Sequence, residues 1–229
     1  MSEIAVQTTV EHLDRGPRDK NEIAEAVAAN IPAGSYVNLG IGQPTTVANY
    51  LTDESGVILH TENGMLNMGR AAVGDEIDPD LINAGKVPVI ELPGAAYFHH
   101  ADSFAMMRGG HLDVCVLGAF QVSQDGDLAN WHTGATDAIP AVGGAMDLAT
   151  GAKDVFVMMT MFTKSGVAKL VPSCSYPLTG VGCVSRVYTD VATVLVGRDG
   201  ARVSETFGMS FAELQSRVDV ELRRLDDEA

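Results

Sequence analysis

The chain has 229 residues, enough for one large domain, and 46% of them are hydrophobic, enough to build a full core. Against 15 Lys and Arg stand 30 Asp and Glu, a formal net charge of −15, and such a surface repels nucleic-acid phosphates and anionic lipid. Nucleic acid and membrane are therefore not expected as partners, and an acidic substrate would need a local exception to the global field.

Cys115, Cys174 and Cys183 are odd in number and lack C-x-x-C spacing, which argues against a disulfide framework or a zinc site, so no metal is expected. Cys115, in an apolar run, reads as a small core residue. The N-terminal residues hold no apolar signal core, and no apolar run approaches the roughly 20 residues of a membrane span. A cytoplasmic location is the expectation.

Residues 1–18 are polar, without a sustained period and broken at Gly16-Pro17, and read as a flexible extension ahead of a single domain over 19–229. Asp19 can cap a helix running to about Asn30, with Ile23, Val27 and Ile31 on one face. Residues 36–41 form a first strand, and Pro44 is placed to open a helix that buries Val47, Ala48 and Leu51. Val57-Ile58-Leu59 suits a buried strand that stops at Thr61-Glu62-Asn63-Gly64. Residues 74–80 read as a surface loop, and 87–92 as a strand ended by Pro93-Gly94. Asp102 or Ser103 can cap a short helix ending at Gly109-Gly110. Residues 114–117 are wholly apolar, as a central parallel strand should be. Residues 120–131 alternate around Asp125-Gly126, the pattern of a β-hairpin. Residues 155–159 and a longer run, 186–196, are further strands, and Asp199-Gly200 turns into 202–207. Ser210-x-x-Glu213 is a capping box for a helix expected to end at Arg223-Arg224. The class is α/β: an open, largely parallel sheet flanked by helices, with an additional β-hairpin.

A carboxylate at the carboxyl end of a buried strand sits where open α/β sheets place their chemistry, and Asn63-Gly64 lets the chain turn sharply to present Glu62. Its bland counterpart is a solvated loop residue. Gly40-x-Gly42, about 20 positions ahead of Glu62, half-matches a dinucleotide fingerprint, but Thr45 stands at the third glycine position and Pro44 removes an amide from the turn. Gly143-Gly144 leads into a helix start, either a tight turn or a set of backbone N–H groups for a developing oxyanion. His99, His100 and His132 are possible acid–base or anion-binding groups, though no Ser or Cys nucleophile motif accompanies them. The methionine clusters 106–107 and 158–161 read as core.

The blocks YVNLGIGQPT, HTENG, DLINAGK, FHHADSFAMMRGGHLD, LGAFQVSQDGDLANWHTG, IPAVGGAMDLATGAK and KLVPSCSYPLTG, in this order, resemble the B (beta) subunits of 3-oxoacid CoA-transferases over roughly residues 19–225. The FHHADSF and NWHTG blocks look most like the 3-oxoadipate branch; acetoacetate or another short 3-oxoacid is the alternative acceptor. The resemblance implies a CoA-transferase-type fold and makes Glu62 the nucleophile. It implies no permanently bound cofactor, with coenzyme A as substrate and covalent intermediate. It also implies a separate A subunit as partner. Thr61 replaces the family's usual Ser, Asn67 a residue that is normally Gly, and Ala141 a frequent Gly. Two readings compete: a dinucleotide- or sugar-phosphate-binding protein in which Glu62 only contacts ligand, and a catalytically dead structural partner.

Overall fold

The computed structural model describes residues 9–134 and 142–228; Ala141 and the first eight residues of the expected extension lie outside them. The strands are β1 (Val10–His12), β2 (Tyr36–Leu39), β3 (Ile58–Thr61), β4 (Met65–Ala71), β5 (Val89–Tyr97), β6 (Val114–Gly118), β7 (Gln121–Ser123), β8 (Leu128–Ala129), β9 (Asp154–Met158), β10 (Leu170–Val171), β11 (Val184–Tyr188), β12 (Ala192–Leu195), β13 (Ala201–Phe207) and β14 (Leu222–Arg224). The α-helices are α1 (Lys20–Asn30), α2 (His100–Arg108), α3 (Ala145–Gly151) and α4 (Phe211–Gln215).

An open sheet of 11 strands runs β1-β13-β12-β11-β9-β6-β2-β3-β4-β5, with β14 also paired to β13. Its centre, β11-β9-β6-β2-β3, is parallel, and antiparallel strands extend both sides. Successive side chains of a strand point to opposite faces, so the central strands feed two cores. Val114, Val116, Phe156 and Met158 pack with Ile23 and Val27 of α1. Cys115, Leu117, Val155 and Val157 pack with Met107 of α2 and Leu148 of α3. Both faces of the parallel centre are covered, which is why these strands read as continuous apolar runs. Cys115 is fully buried, and burial pushes its thiol well above the usual range, as befits a core residue.

Helix α1 starts as expected: Asp19 accepts from the Asn21 and Glu22 amides, and Glu22 reaches back to the Asp19 amide. The hairpin forms from β7 and β8, and β10 joins it to make a separate three-stranded sheet.

Several expectations need correction. Residues 9–18 are not a free extension: β1 pairs with β13, and Arg18 is 5% exposed. The Arg18 guanidinium donates to the Thr189 and Ala192 carbonyl oxygens and stacks over the Phe207 ring, while desolvation lowers its pKa to about 10. One arginine thus anchors a stretch whose polarity suggested looseness. Residues 186–196 are two antiparallel strands, β11 and β12, because the Thr189 hydroxyl bonds the turn to the Val191 and Ala192 amides. The Ser210 cap exists, but α4 lasts five residues, and Arg223-Arg224 lies on β14 beside β13. The segment opened by Pro44 is a 3₁₀ helix, Gln43–Tyr50. Strand β5 continues through Pro93-Gly94, a proline and glycine tolerated at the sheet's outer edge.

Strand β4 carries no sequence expectation, and its bend explains Asn67. That residue has φ +61°, a left-handed conformation that glycine adopts freely and asparagine tolerates better than most residues. Its side chain then donates to the Pro93 carbonyl oxygen at 2.9 Å, bridging the register shift between β4 and β5.

Candidate active site

Strand β2 leads to β3 on one side, whereas β6 and β9 continue the sheet on the other, so the strand order reverses direction beside β2. Crevices at such points, outside the carboxyl ends of the strands, are where open α/β sheets bind ligands. A cavity of about 570 Å³ opens there. Its walls come from the ends of the parallel strands: Gly40 after β2, Glu62 after β3, Leu117–Phe120 from β6, and Met158–Thr160 from β9. Gly143 and Gly144 close one side and Lys169 another.

Glu62 sits on a turn fastened on both sides of it. The Gly64 amide bonds to the Thr61 carbonyl oxygen at 3.1 Å, and the Met65 amide to the Thr61 hydroxyl at 3.1 Å. The Thr61 hydroxyl thus supplies the oxygen that locks the turn. Asn63 donates to the Ile82 carbonyl oxygen at 2.8 Å. Gly64 has φ +109°, and a Cβ there would run into the Phe98 carbonyl oxygen, so no other residue fits.

Beneath the turn lies a buried relay that the sequence did not reveal. Asn38 of β2 and His60 of β3 are register neighbours. Asn38 Nδ2 donates to His60 Nδ1 at 3.0 Å and to the His60 carbonyl oxygen at 3.1 Å. That leaves the ring proton on Nε2, which faces Ser103 Oγ at 3.1 Å; the Ser103 hydroxyl in turn donates to the Thr61 carbonyl oxygen at 3.1 Å. The relay ties the end of β3 to α2. Burial lowers the His60 pKa from 6.5 to about 4, so the ring is neutral at pH 7. Because the folded pKa is depressed, the stabilising contribution is complete above pH 6.5 and is lost as pH falls towards 4. The loss should reach about 3 kcal/mol. Chemical denaturation between pH 7 and 4 checks this: a His60→Gln variant should show a shallower decline than the parent, and equal slopes would contradict it.

The Glu62 carboxylate reaches the start of α3. A Cβ on Gly144 would lie 2.5 Å from Glu62 Oε2, so the two groups approach as only glycine permits. Glu62 has its pKa raised, chiefly by desolvation; the charge of His100 and a hydrogen bond from the Gly144 backbone oppose the shift, and Asp147 reinforces it. Gly143 supplies the preceding turn at φ +53°. Sequence reasoning named Glu62, Asn63, Gly64, Gly143 and Gly144 separately; the fold brings Glu62, Gly143 and Gly144 to one cavity, while Asn63 and Gly64 lie outside it in the turn that carries Glu62.

The histidines divide. His99 caps α2, its Nδ1 accepting from the Ala101 amide at 3.1 Å, in place of the expected Asp102 or Ser103. His100 packs against Phe104 and faces Glu62 electrostatically. His132 Nδ1 accepts from the Gly134 amide at 2.9 Å and does not line the cavity. Sequence reasoning missed Lys169 and Gln43 as cavity residues; nothing in their local spacing marks them. Gly40 serves close packing: its amide bonds to the Val116 carbonyl oxygen at 2.8 Å, and a Cβ would meet Leu117 Cδ2 at 3.0 Å.

Comparison with known proteins bears on what this cavity does. The coenzyme A transferase family profile matches residues 20–204. The chain belongs to the coenzyme A transferase family. It is 64% identical to the B subunit of 3-oxoadipate CoA-transferase from Pseudomonas putida, across 86% of this chain and 92% of that one. It is 42% identical to the B subunit of succinyl-CoA:3-ketoacid coenzyme A transferase from Helicobacter pylori, across 88% and 97%. Its fold matches an acyl-CoA transferase from Escherichia coli O157:H7 with a TM-score of 0.69 at 19% identity, over 93% of this chain and 43% of the other. As a member of this transferase family, the chain is an enzyme subunit of the transferase class. Among the described residues no helix is long and apolar enough to cross a membrane.

Proposed function

We propose that the chain is the glutamate-bearing B subunit of a heteromeric transferase that moves CoA from succinyl-CoA to 3-oxoadipate. The observation that carries this reading is the desolvated Glu62 carboxylate set against Gly144 in a cavity at the switch point. The higher identity to the 3-oxoadipate enzyme than to the 3-ketoacid enzyme, 64% against 42%, supports the choice of acceptor.

A Ser or Cys nucleophile would hold the acyl group and release CoA, leaving nothing activated to carry CoA. A carboxylate can do both. Glu62 attacks the thioester carbonyl of succinyl-CoA; the C–S bond breaks, giving a mixed anhydride and CoA thiolate. The thiolate attacks the Glu62 carbonyl of that anhydride, expelling succinate and leaving a glutamyl-CoA thioester. The carboxylate of 3-oxoadipate attacks this thioester, and the same two steps run in reverse to give 3-oxoadipyl-CoA and free Glu62. No redox step or outside energy source enters.

Each step develops an oxyanion beside the carbonyl under attack, for which the backbone at Gly143-Gly144 is our candidate donor; a hydrogen bond from the Gly144 backbone to Glu62 supports the assignment. A carboxylate stripped of water is also a stronger nucleophile once ionised. The cavity's apolar rim, with Ile41 64% and Phe120 41% exposed, fits a second subunit that covers the site and excludes water. Co-purification with an A subunit should yield succinyl-CoA:3-oxoadipate turnover that the single chain lacks. In that complex kcat/KM should rise with pH through the raised Glu62 pKa and then level off. Robust turnover by the isolated chain would contradict the two-subunit reading, and a rate that falls as pH rises through this range would contradict attack by ionised Glu62.

A further inference from the structure

The surface carries a net charge of −15, and the substrates of the proposed reaction are dianions. Something in the cavity must hold the carboxylate that does not react. The histidines expected for that task are spent elsewhere: His99 on a helix cap, His132 on its own loop, and His100 facing Glu62 itself. Among the described residues Lys169 is the cationic side chain that lines the cavity shared with Glu62.

Its position is rigid. The Lys169 amide bonds to the Met161 carbonyl oxygen at 2.9 Å, and its carbonyl oxygen accepts from the Val122 amide at 3.0 Å. The main chain is thus clamped between the segment leaving β9 and strand β7. Among the described residues its ammonium makes no hydrogen bond or ion pair; Asp190 attracts it, but Asp190 Oδ1 accepts from the Met161 amide. Burial lowers the Lys169 pKa, which marks a charge held partly out of water without a bonded counter-ion. Gln43 Nε2, at the same cavity wall, is a buried donor without an acceptor among the described residues. A buried donor left unpaired is costly, and an entering carboxylate would give Gln43 Nε2 an acceptor and the half-buried Lys169 ammonium a counter-ion.

We propose that Lys169 is the carboxylate receptor of this site, binding the distal carboxylate of a dicarboxylic acyl group whose other end reacts at Glu62. The proposal rests on the CoA-transferase reading and makes the selection of dicarboxylic over monocarboxylic acids a property of this chain.

The test uses the complex with the A subunit and measures the first half-reaction, formation of the enzyme–CoA adduct. Succinyl-CoA is compared with butyryl-CoA, which has the same carbon count but no distal carboxylate. Lys169→Met should lower kcat/KM for succinyl-CoA by about 10- to 100-fold. The fall with butyryl-CoA should be at least tenfold smaller, and Lys169→Arg should recover part of the loss. Succinate should inhibit the parent and inhibit Lys169→Met at least tenfold less well. Equal losses with both acyl-CoAs, an unchanged succinyl-CoA rate, or undiminished succinate inhibition would overturn the proposal. Absence of any adduct in the parent would instead refute the transferase reading beneath it.

Discussion

A Glu62→Gln variant, assembled with its A subunit, should lose CoA transfer by on the order of 10⁴-fold or more, while its folded state becomes more heat-stable near neutral pH. Glutamine keeps the shape of the side chain but cannot form the proposed anhydride. The gain in stability follows from the site's electrostatics. Desolvation raises the Glu62 pKa, so the folded protein holds the proton more tightly than the unfolded chain does. The associated stability is present at acid pH and is lost as pH climbs through the raised pKa, leaving an ionised carboxylate out of water at pH 7. Glutamine never ionises. Thermal unfolding should therefore show a higher Tm for the variant at pH 7.5, with the gap closing as pH falls below the ordinary carboxylate range. A variant less stable than the parent at pH 7.5 would mean that Glu62 is held by favourable partners rather than strained by burial.

The second large effect is expected at Gly144. Its φ of −83° suits alanine, so Gly144→Ala should fold with a stability change of no more than about 1 kcal/mol. The added Cβ, however, would fall 2.5 Å from Glu62 Oε2 and 3.2 Å from Phe104 Cζ. Either the carboxylate turns away or the start of α3 shifts, and both separate the Glu62 carboxylate from the Gly144 backbone donor. The expected outcome is a fall in kcat of about 10²- to 10³-fold. Gly143→Ala behaves differently: the left-handed φ of +53° makes it cost roughly 1–2 kcal/mol of stability, with open space around the new methyl group. Steady-state kinetics and unfolding of the two variants separate a clash at Glu62 from a strained turn. An unaltered kcat in Gly144→Ala would show that the close approach has no part in the reaction.

Much of this was written locally. Short apolar runs placed the central strands, Asp19 and Glu22 spelled out the start of α1, and Asp125-Gly126 marked the hairpin. Glu62 was legible because a buried strand breaks at Glu-Asn-Gly, a break that the Gly64 approach to Phe98 makes necessary. What stayed hidden depends on residues distant in sequence. Arg18 reaches Thr189 and Ala192, a contact that no local pattern announces, so residues 9–18 read as loose. The Asn38–His60–Ser103 relay joins three elements, each of which looks ordinary by itself. The 186–196 run reads as one strand, and only the Thr189 turn divides it. Lys169 becomes a cavity residue because β10 pairs with β7 across a gap of some fifty residues.

Mass analysis of the complex after exposure to succinyl-CoA, with borohydride reduction and peptide mapping, tests the central claim most directly. The account predicts a CoA adduct on the parent chain that borohydride cleaves, leaving the reduced mark on the peptide that carries Glu62. Turnover without an adduct, or an adduct mapped to any other residue, would contradict it.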